Sequence, residues 1–202
     1  MKIVTLIALL ICLLETCPAQ GAQSAPVQSP PADKMSRSQE TQAKIHQVDL
    51  LVSILPLVLT KDQIKDILLT LEKVRAKQQS ILASEDDEIL KLDKEVDDTL
   101  TLAVTKDQYP PRVLQNKVFN VTRALSLRRQ VAVNEYIDEV FTTLDKILNA
   151  GQKKAMAGSL DPAYFAPGVK ADTLKDIDKI KAFIRMKLLD PVAYTLLVKL
   201  SK

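Results

Sequence analysis

Few side chains in this sequence have the types and spacing that catalysis or metal binding requires. His46 is the only histidine among 202 residues, and both cysteines, Cys12 and Cys17, fall near the start of the chain. A zinc site needs several converging His, Cys or carboxylate ligands, and a Ser–His–Asp triad needs a histidine oriented by a partner. We therefore interpret His46 as a surface or boundary side chain of a helix.

Carboxylate pairs are the remaining source of acid–base chemistry. Asp86-Asp87 lies in the acidic run 84–88, and Asp97-Asp98 follows it. Such pairs can act as general acid and base, but beside lysines on a helix they are typical of a solvated face. The run also lacks the alternating ligands and glycine of a calcium loop. We predict no catalytic residues, no metal and no cofactor, and therefore no enzyme. An enzyme of unnamed chemistry is the last alternative.

Basic side chains in one apolar-periodic stretch offer binding chemistry instead. The candidates for client binding are Arg112, Lys117, Arg123, Arg128 and Arg129. Two interpretations stay open. The arginines could pair with the acidic run, or they could edge a groove that accepts acidic or unfolded polypeptide by charge steering and apolar contact.

The element that carries these basic residues is a predicted long helix from Pro110 to Asn149. Proline is tolerated at a helix start, and Gly151 supplies a stop signal. At about 1.5 Å per residue the helix would be roughly 55 Å long. Other helices, a second subunit or a partner must cover part of it. Its apolar residues recur at helical spacing: Leu114, Val118, Val121, Leu125, Ala132, Val133, Ile137, Val140, Leu144 and Ile147.

The N-terminal residues predict export. Ile3–Leu14 is an apolar run that suits a signal core and is too short to span a bilayer. Small residues around Gln20 place the cleavage after Gly21, so that residues 1–21 are a signal peptide. Residues 22–38 are rich in Pro, Ser and Gln and predict a disordered tether. We therefore expect a secreted or periplasmic protein whose mature chain has no cysteine.

Helical patterns fill the rest of the chain. One runs from Gln39 to Pro56, and the next begins at Thr60, whose hydroxyl can cap it while Gln63 reaches back to the Thr60 N–H. Whether residues 60–104 form one helix, or a second one capped by Ser84, stays open. Asp161-Pro162 and Asp190-Pro191 resemble helix starts. The sequence predicts an all-α fold, a long-helix antiparallel hairpin or bundle over residues 39–157 with a smaller helical C-terminal extension, 158–202.

Two short motifs carry a family resemblance. Leu59, Thr60 and Gln63 resemble the LTxxQ motif of the Spy/CpxP-like family of periplasmic helical proteins, in which the motif occurs twice. A degenerate second copy has Leu148, Asn149 and Gln152, with Asn in place of Thr; Asn is also a good helix cap. If Asn149 starts a helix, the long helix ends there and the second motif marks a corner. The tail from residue 159 onward has no counterpart in this resemblance.

The resemblance implies a cradle-shaped helical homodimer that binds unfolded protein clients without ATP, or an envelope-stress factor. Net charge is +3, aromatics are 4% and Trp is absent, which argues against nucleic-acid partners and stable membrane insertion. We therefore expect an exported helical binding protein that is chaperone-like in function, with protein clients. The alternative is a structural or scaffold protein whose long helix is covered by a dedicated protein partner.

Overall fold

The computed structural model describes residues 37–160 and 173–202, and within them the chain is all-α, as the sequence predicts. The predicted signal peptide, nearly all of the predicted tether and Asp161-Pro162 lie outside the described residues. The helices are α1 (Arg37–Ile54), α2 (Lys61–Leu90), α3 (Asp93–Lys106), α4 (Arg112–Ile147), α5 (Ala150–Gly158), α6 (Asp176–Phe183) and α7 (Pro191–Leu200). A 3₁₀ turn, Leu55–Leu57, follows α1, and a π-helical turn, Ile184–Leu188, continues α6.

Helix boundaries follow the local signals in most places. Pro56 lies in the 3₁₀ turn after α1, and the predicted long helix is α4. Residues 60–104 form two helices, but the break falls at Lys91 and Leu92. Ser84 is not a cap, because it lies inside α2. The acidic run therefore continues the helix and projects its carboxylates from successive faces of α2.

The long helix α4 runs antiparallel to α2 and α3. Cross-helix hydrogen bonds join Gln63 to Ile147, and Lys77 to Glu139. Farther along α2, Glu85 meets Arg129. In these pairs the residue number on α4 decreases as the residue number on α2 increases, so the two helices are antiparallel neighbours.

One core lies at the end of this helix pair where α2 begins and α4 ends. Leu50 of α1, Ile67 of α2 and Val140 of α4 are each at most 1% exposed, and they share one cluster with Phe183 and Leu197. Large-to-small changes at such positions cost about 3–5 kcal/mol. The predicted boundary at residue 158 therefore does not divide the packing: helices α6 and α7 complete the core of α1, α2, α4 and α5.

The other end of the helix pair has no such core. No residue of the segment 82–131, which we call the distal arm, belongs to the core cluster. Only Glu85, Leu92, Leu114 and Leu125 are buried in it. The arm is a two-layer structure of α2 and α3 against α4, so that the outer face of each helix is open to solvent.

Candidate functional site

Both LTxxQ-like motifs form helix N-terminal capping boxes. The Thr60 hydroxyl accepts from the Gln63 N–H at 3.2 Å, and the Gln63 Oε1 accepts from the Thr60 N–H at 2.9 Å. At the start of α5, the Asn149 Oδ1 accepts from the Gln152 N–H at 2.9 Å, and the Gln152 Oε1 accepts from the Asn149 N–H at 3.1 Å. The predicted caps are thus confirmed, including Asn149 in place of Thr and the corner between α4 and α5.

The two glutamines also contact each other. The Gln63 Nε2 donates to the Gln152 Oε1, and the Gln152 Nε2 donates to the Gln63 Oε1, both at 3.0 Å. Each Nε2 also donates to backbone two residues before the other cap: Gln63 to the Ile147 carbonyl at 2.8 Å, and Gln152 to the Val58 carbonyl at 3.2 Å. Nearly the same set of bonds is thus made in both directions, so the two motifs are related by a local pseudo-two-fold arrangement.

This double capping box is a structural clamp. Leu59 is half-buried and Leu148 is buried against the core, so the leucines of both motifs anchor the clamp. Val58 just before it has φ 46°, a left-handed conformation that a β-branched residue adopts only under strain. Amide groups offer hydrogen bonds and no nucleophile or titratable proton. The motifs therefore fix the corner of the fold.

Three of the five basic candidates are engaged in ion pairs across the helix pair. Arg129 contacts Glu85 through Nε at 2.7 Å and through a terminal nitrogen at 2.6 Å. Arg128 contacts Glu88 at 2.9 Å, and Lys117 contacts Glu95. For Arg128 and Arg129 the structure confirms the first of the two interpretations, pairing with the acidic run. Lys117 pairs outside that run, with a carboxylate of α3. Glu85 is 1% exposed, so its pair with Arg129 is largely buried.

Arg112 and Arg123 differ from these three. Both are exposed, and within the described part of the chain neither makes an ion pair. Arg123 is flanked at helical spacing by Phe119 and Leu127, and Val131 follows one turn later; these three apolar side chains are 63%, 53% and 58% exposed. A positive charge therefore sits in the middle of an apolar stripe on the outer face of α4.

An apolar groove opens beside this stripe. It has a volume of about 530 Å³ and lies between α3 and the first turns of α4. Phe119 belongs to both the groove and the stripe. The groove is lined by Val96, Thr99, Leu100, Pro110, Leu114, Gln115, Val118, Phe119 and Thr122. No charged side chain lines it, so its walls favour apolar side chains of a ligand.

A second cleft, of about 470 Å³, lies near the core between α2, α4 and the π-helical turn before α7. Its walls include Leu71, Val74 and Leu188, with Arg75, Arg185 and Tyr136 among the polar side chains. The sequence analysis did not identify this cleft, because its residues come from elements far apart in the chain. Only the cap at Asp190, which is confirmed by a 2.7 Å bond from the Val192 N–H, marked its rim.

His46 lies close to a carboxylate at the start of α7. His46 is exposed, as predicted, and its Nε2 lies 2.9 Å from the Asp190 Oδ2. Across residues 37–160 and 173–202, no three His, Cys, Asp or Glu side chains cluster in a way that could hold a metal ion. No helix in the same ranges is long and apolar enough to cross a membrane.

Comparisons of the chain with protein-family models, with curated proteins and with solved structures found no match. The function is therefore argued from the surfaces of the molecule.

Proposed function

We propose that this chain is an exported helical binding protein that holds unfolded protein segments without ATP, in the manner that the Spy/CpxP-like resemblance implies. The observation that carries the proposal is the distal arm, which exposes many large apolar side chains and contains no part of the core cluster. The exposed ones are Leu82, Ile89, Leu90, Leu100, Val104, Tyr109, Val113, Val118, Phe119, Leu127 and Val131. Of these, Leu100, Val118 and Phe119 meet in the groove between α3 and α4. An exposed apolar patch of this kind marks an interaction site.

Unfolded polypeptide is the occupant that suits this surface best. The groove beside Phe119 is lined by apolar and uncharged polar residues, which can hold varied apolar side chains without demanding one sequence. Arg112 and Arg123 lie on α4, which forms one wall of this groove, and neither makes an ion pair with a described residue. Free guanidinium groups steer acidic segments toward the arm and act mainly on the rate of encounter.

The clamp supports this function by fixing the base of the arm. Gln63 and Gln152 lock the start of α2 to the end of α4, and the ion pairs of Arg129 and Arg128 hold the two helices together farther out. A rigid arm presents its apolar stripe without an ordering cost on binding. Export rests on the apolar run Ile3–Leu14 and the small residues that follow it.

The test is suppression of aggregation. A chemically unfolded model protein is diluted into buffer without ATP, and light scattering is recorded with increasing amounts of this chain. We expect suppression near equal molar ratio. Leu127→Ser should weaken it several-fold, whereas Leu69→Ser, a leucine of similar exposure (57% against 53%) outside the arm, should not. Arg123→Ala should slow capture, most strongly at low salt.

A structural or scaffold protein is the alternative. In that case the apolar arm would be covered permanently by a second copy or by a dedicated partner. Sedimentation of the purified chain distinguishes the two. A stable oligomer that Leu127→Ser dissociates, together with no suppression of aggregation at several-fold excess, would replace the chaperone proposal with the scaffold. A homodimer that still suppresses aggregation fits the first proposal.

A further inference from the structure

The cleft near the core combines apolar walls with cationic groups that make no ion pair within residues 37–160 and 173–202. Arg75 and Arg185 both line it, and neither forms an ion pair with any residue of the described ranges. The Arg75 guanidinium lies 4.4 Å from the ring centroid of Tyr194, which holds it in place by a cation–π contact. Two guanidinium groups at one cleft create a positive site that attracts an anionic head group.

Tyr136 supplies a hydrogen-bond donor at the same place. Its side chain lines the cleft and is 6% exposed, and its hydroxyl has no hydrogen-bond partner within the part of the chain that the structure describes. Burial raises the pKa of Tyr136, so that the hydroxyl keeps its proton and remains a donor. A buried donor without an acceptor costs free energy. The hydroxyl is itself inaccessible to water in this structure, so a ligand oxygen removes that cost only when the cleft wall moves to admit it.

The one carboxylate on the rim is already engaged. Asp190 accepts from the Val192 N–H at 2.7 Å and lies 2.9 Å from the His46 Nε2. In the described residues it makes no ion pair with either arginine. The remaining wall is apolar and includes Leu71, Val74 and Leu188.

We propose that this cleft binds a small amphipathic carboxylate, an organic acid with one anionic head and a medium-length acyl tail. Arg75 and Arg185 bind the head group, and Leu71, Val74 and Leu188 contact the tail. The volume of about 470 Å³ lies in the range of small-molecule sites. The cleft shares no lining residue with the groove of the distal arm. Leu82 is common to the cleft and to the exposed apolar residues of the arm, but Phe119 and Leu127 lie outside the cleft, so variants at these two positions test client binding separately.

The test is calorimetric titration of the full chain with decanoate below its micellar concentration. We expect saturable one-to-one binding. Arg185→Gln and Arg75→Gln should each weaken it about ten-fold, because a charge-assisted contact to the head is lost. Tyr136→Phe should weaken it about five-fold and leave the protein folded, since the hydroxyl has no partner to lose in the described structure. Thermal melts of each variant separate lost binding from lost fold.

Matched probes and variants can overturn the proposal. Decyltrimethylammonium has the same tail length with a cationic head, and equal binding of this probe would exclude recognition of the anion. Phe119→Ser alters the groove and the apolar stripe of the distal arm and leaves the lining of the cleft unchanged; if it abolished decanoate binding, the site would be the arm. An N-terminally blocked trileucine peptide with a free C-terminal carboxylate should bind more weakly than decanoate. Tighter binding of the peptide would overturn the proposal that the cleft prefers an acyl tail. No binding of decanoate would do the same.

Discussion

Replacing Arg129 by Met should destabilise the protein by about 3 kcal/mol, because the change leaves Glu85 buried without its cation. Glu85 is 1% exposed, and its Oε2 receives both contacts from Arg129, at 2.7 and 2.6 Å. Its Oε1 has no hydrogen-bond partner in the described residues, so Arg129 is the main stabiliser of this carboxylate. Methionine keeps the apolar stem and removes only the guanidinium.

The magnitude follows from the burial of each partner. Removing one partner of a buried pair costs about 3–5 kcal/mol. The Arg129 side chain is 34% exposed, and partial solvation places the effect at the lower end of that range. With a urea dependence of about 2 kcal/mol per molar, the midpoint of unfolding should fall by about 1.5 M.

The neighbouring arginine is a matched control. Arg128 is paired with Glu88, but both side chains are more exposed, at 41% and 31%. Arg128→Met should therefore cost less than about 1 kcal/mol. Urea unfolding followed by circular dichroism measures both variants. Equal effects of the two changes would refute the claim that burial of Glu85 decides the cost.

A double variant tests the mechanism itself. Glu85→Leu combined with Arg129→Met removes both charges, so no buried carboxylate is left unpaired. We expect most of the lost stability to return, because an apolar pair of similar volume often equals a buried ion pair. If the double variant were as unstable as Arg129→Met alone, the single variant would owe its effect to lost packing.

Two further predictions concern the clamp and the buried tyrosine. Gln63→Ala and Gln152→Ala should each lower the unfolding free energy by about 1–3 kcal/mol. The double variant should lose less than the sum of the two, since both changes remove the same amide pair. Strict additivity in urea unfolding would contradict that pairing. The pKa of Tyr136 is raised by burial, so its contribution to stability is complete below about pH 10 and is lost as pH rises through the folded-state pKa. As pH is raised above about 10, Tyr136→Phe should therefore lose less unfolding free energy than the parent protein. Tyr109→Phe, at an 81% exposed tyrosine, should lose as much as the parent. If the unfolding free energy of all three proteins fell equally with pH, this assignment would be wrong.

The sequence determined the elements whose signals are local. Apolar residues at helical spacing and the prolines at 56 and 110–111 predicted α1 and α4 to within a few residues. Thr60 and Asn149 were predicted as caps because a capping box is complete within four consecutive residues. Exposure of His46 also followed from the sequence. Each of these features depends on neighbours in the chain and needs no knowledge of packing.

Tertiary structure alone decided which of these elements meet. The amide pair of Gln63 and Gln152 joins residues 89 positions apart, and nothing in either capping box specifies the other. The division of the basic residues has the same origin. Arg128 and Arg129 are adjacent to carboxylates only because α2 and α4 are antiparallel in this register, whereas Arg123 is exposed and makes no ion pair with a described residue. The helical period fixes the face on which a side chain lies. The element that packs against that face decides whether its side chains are buried in a core, form ion pairs or stay exposed to solvent.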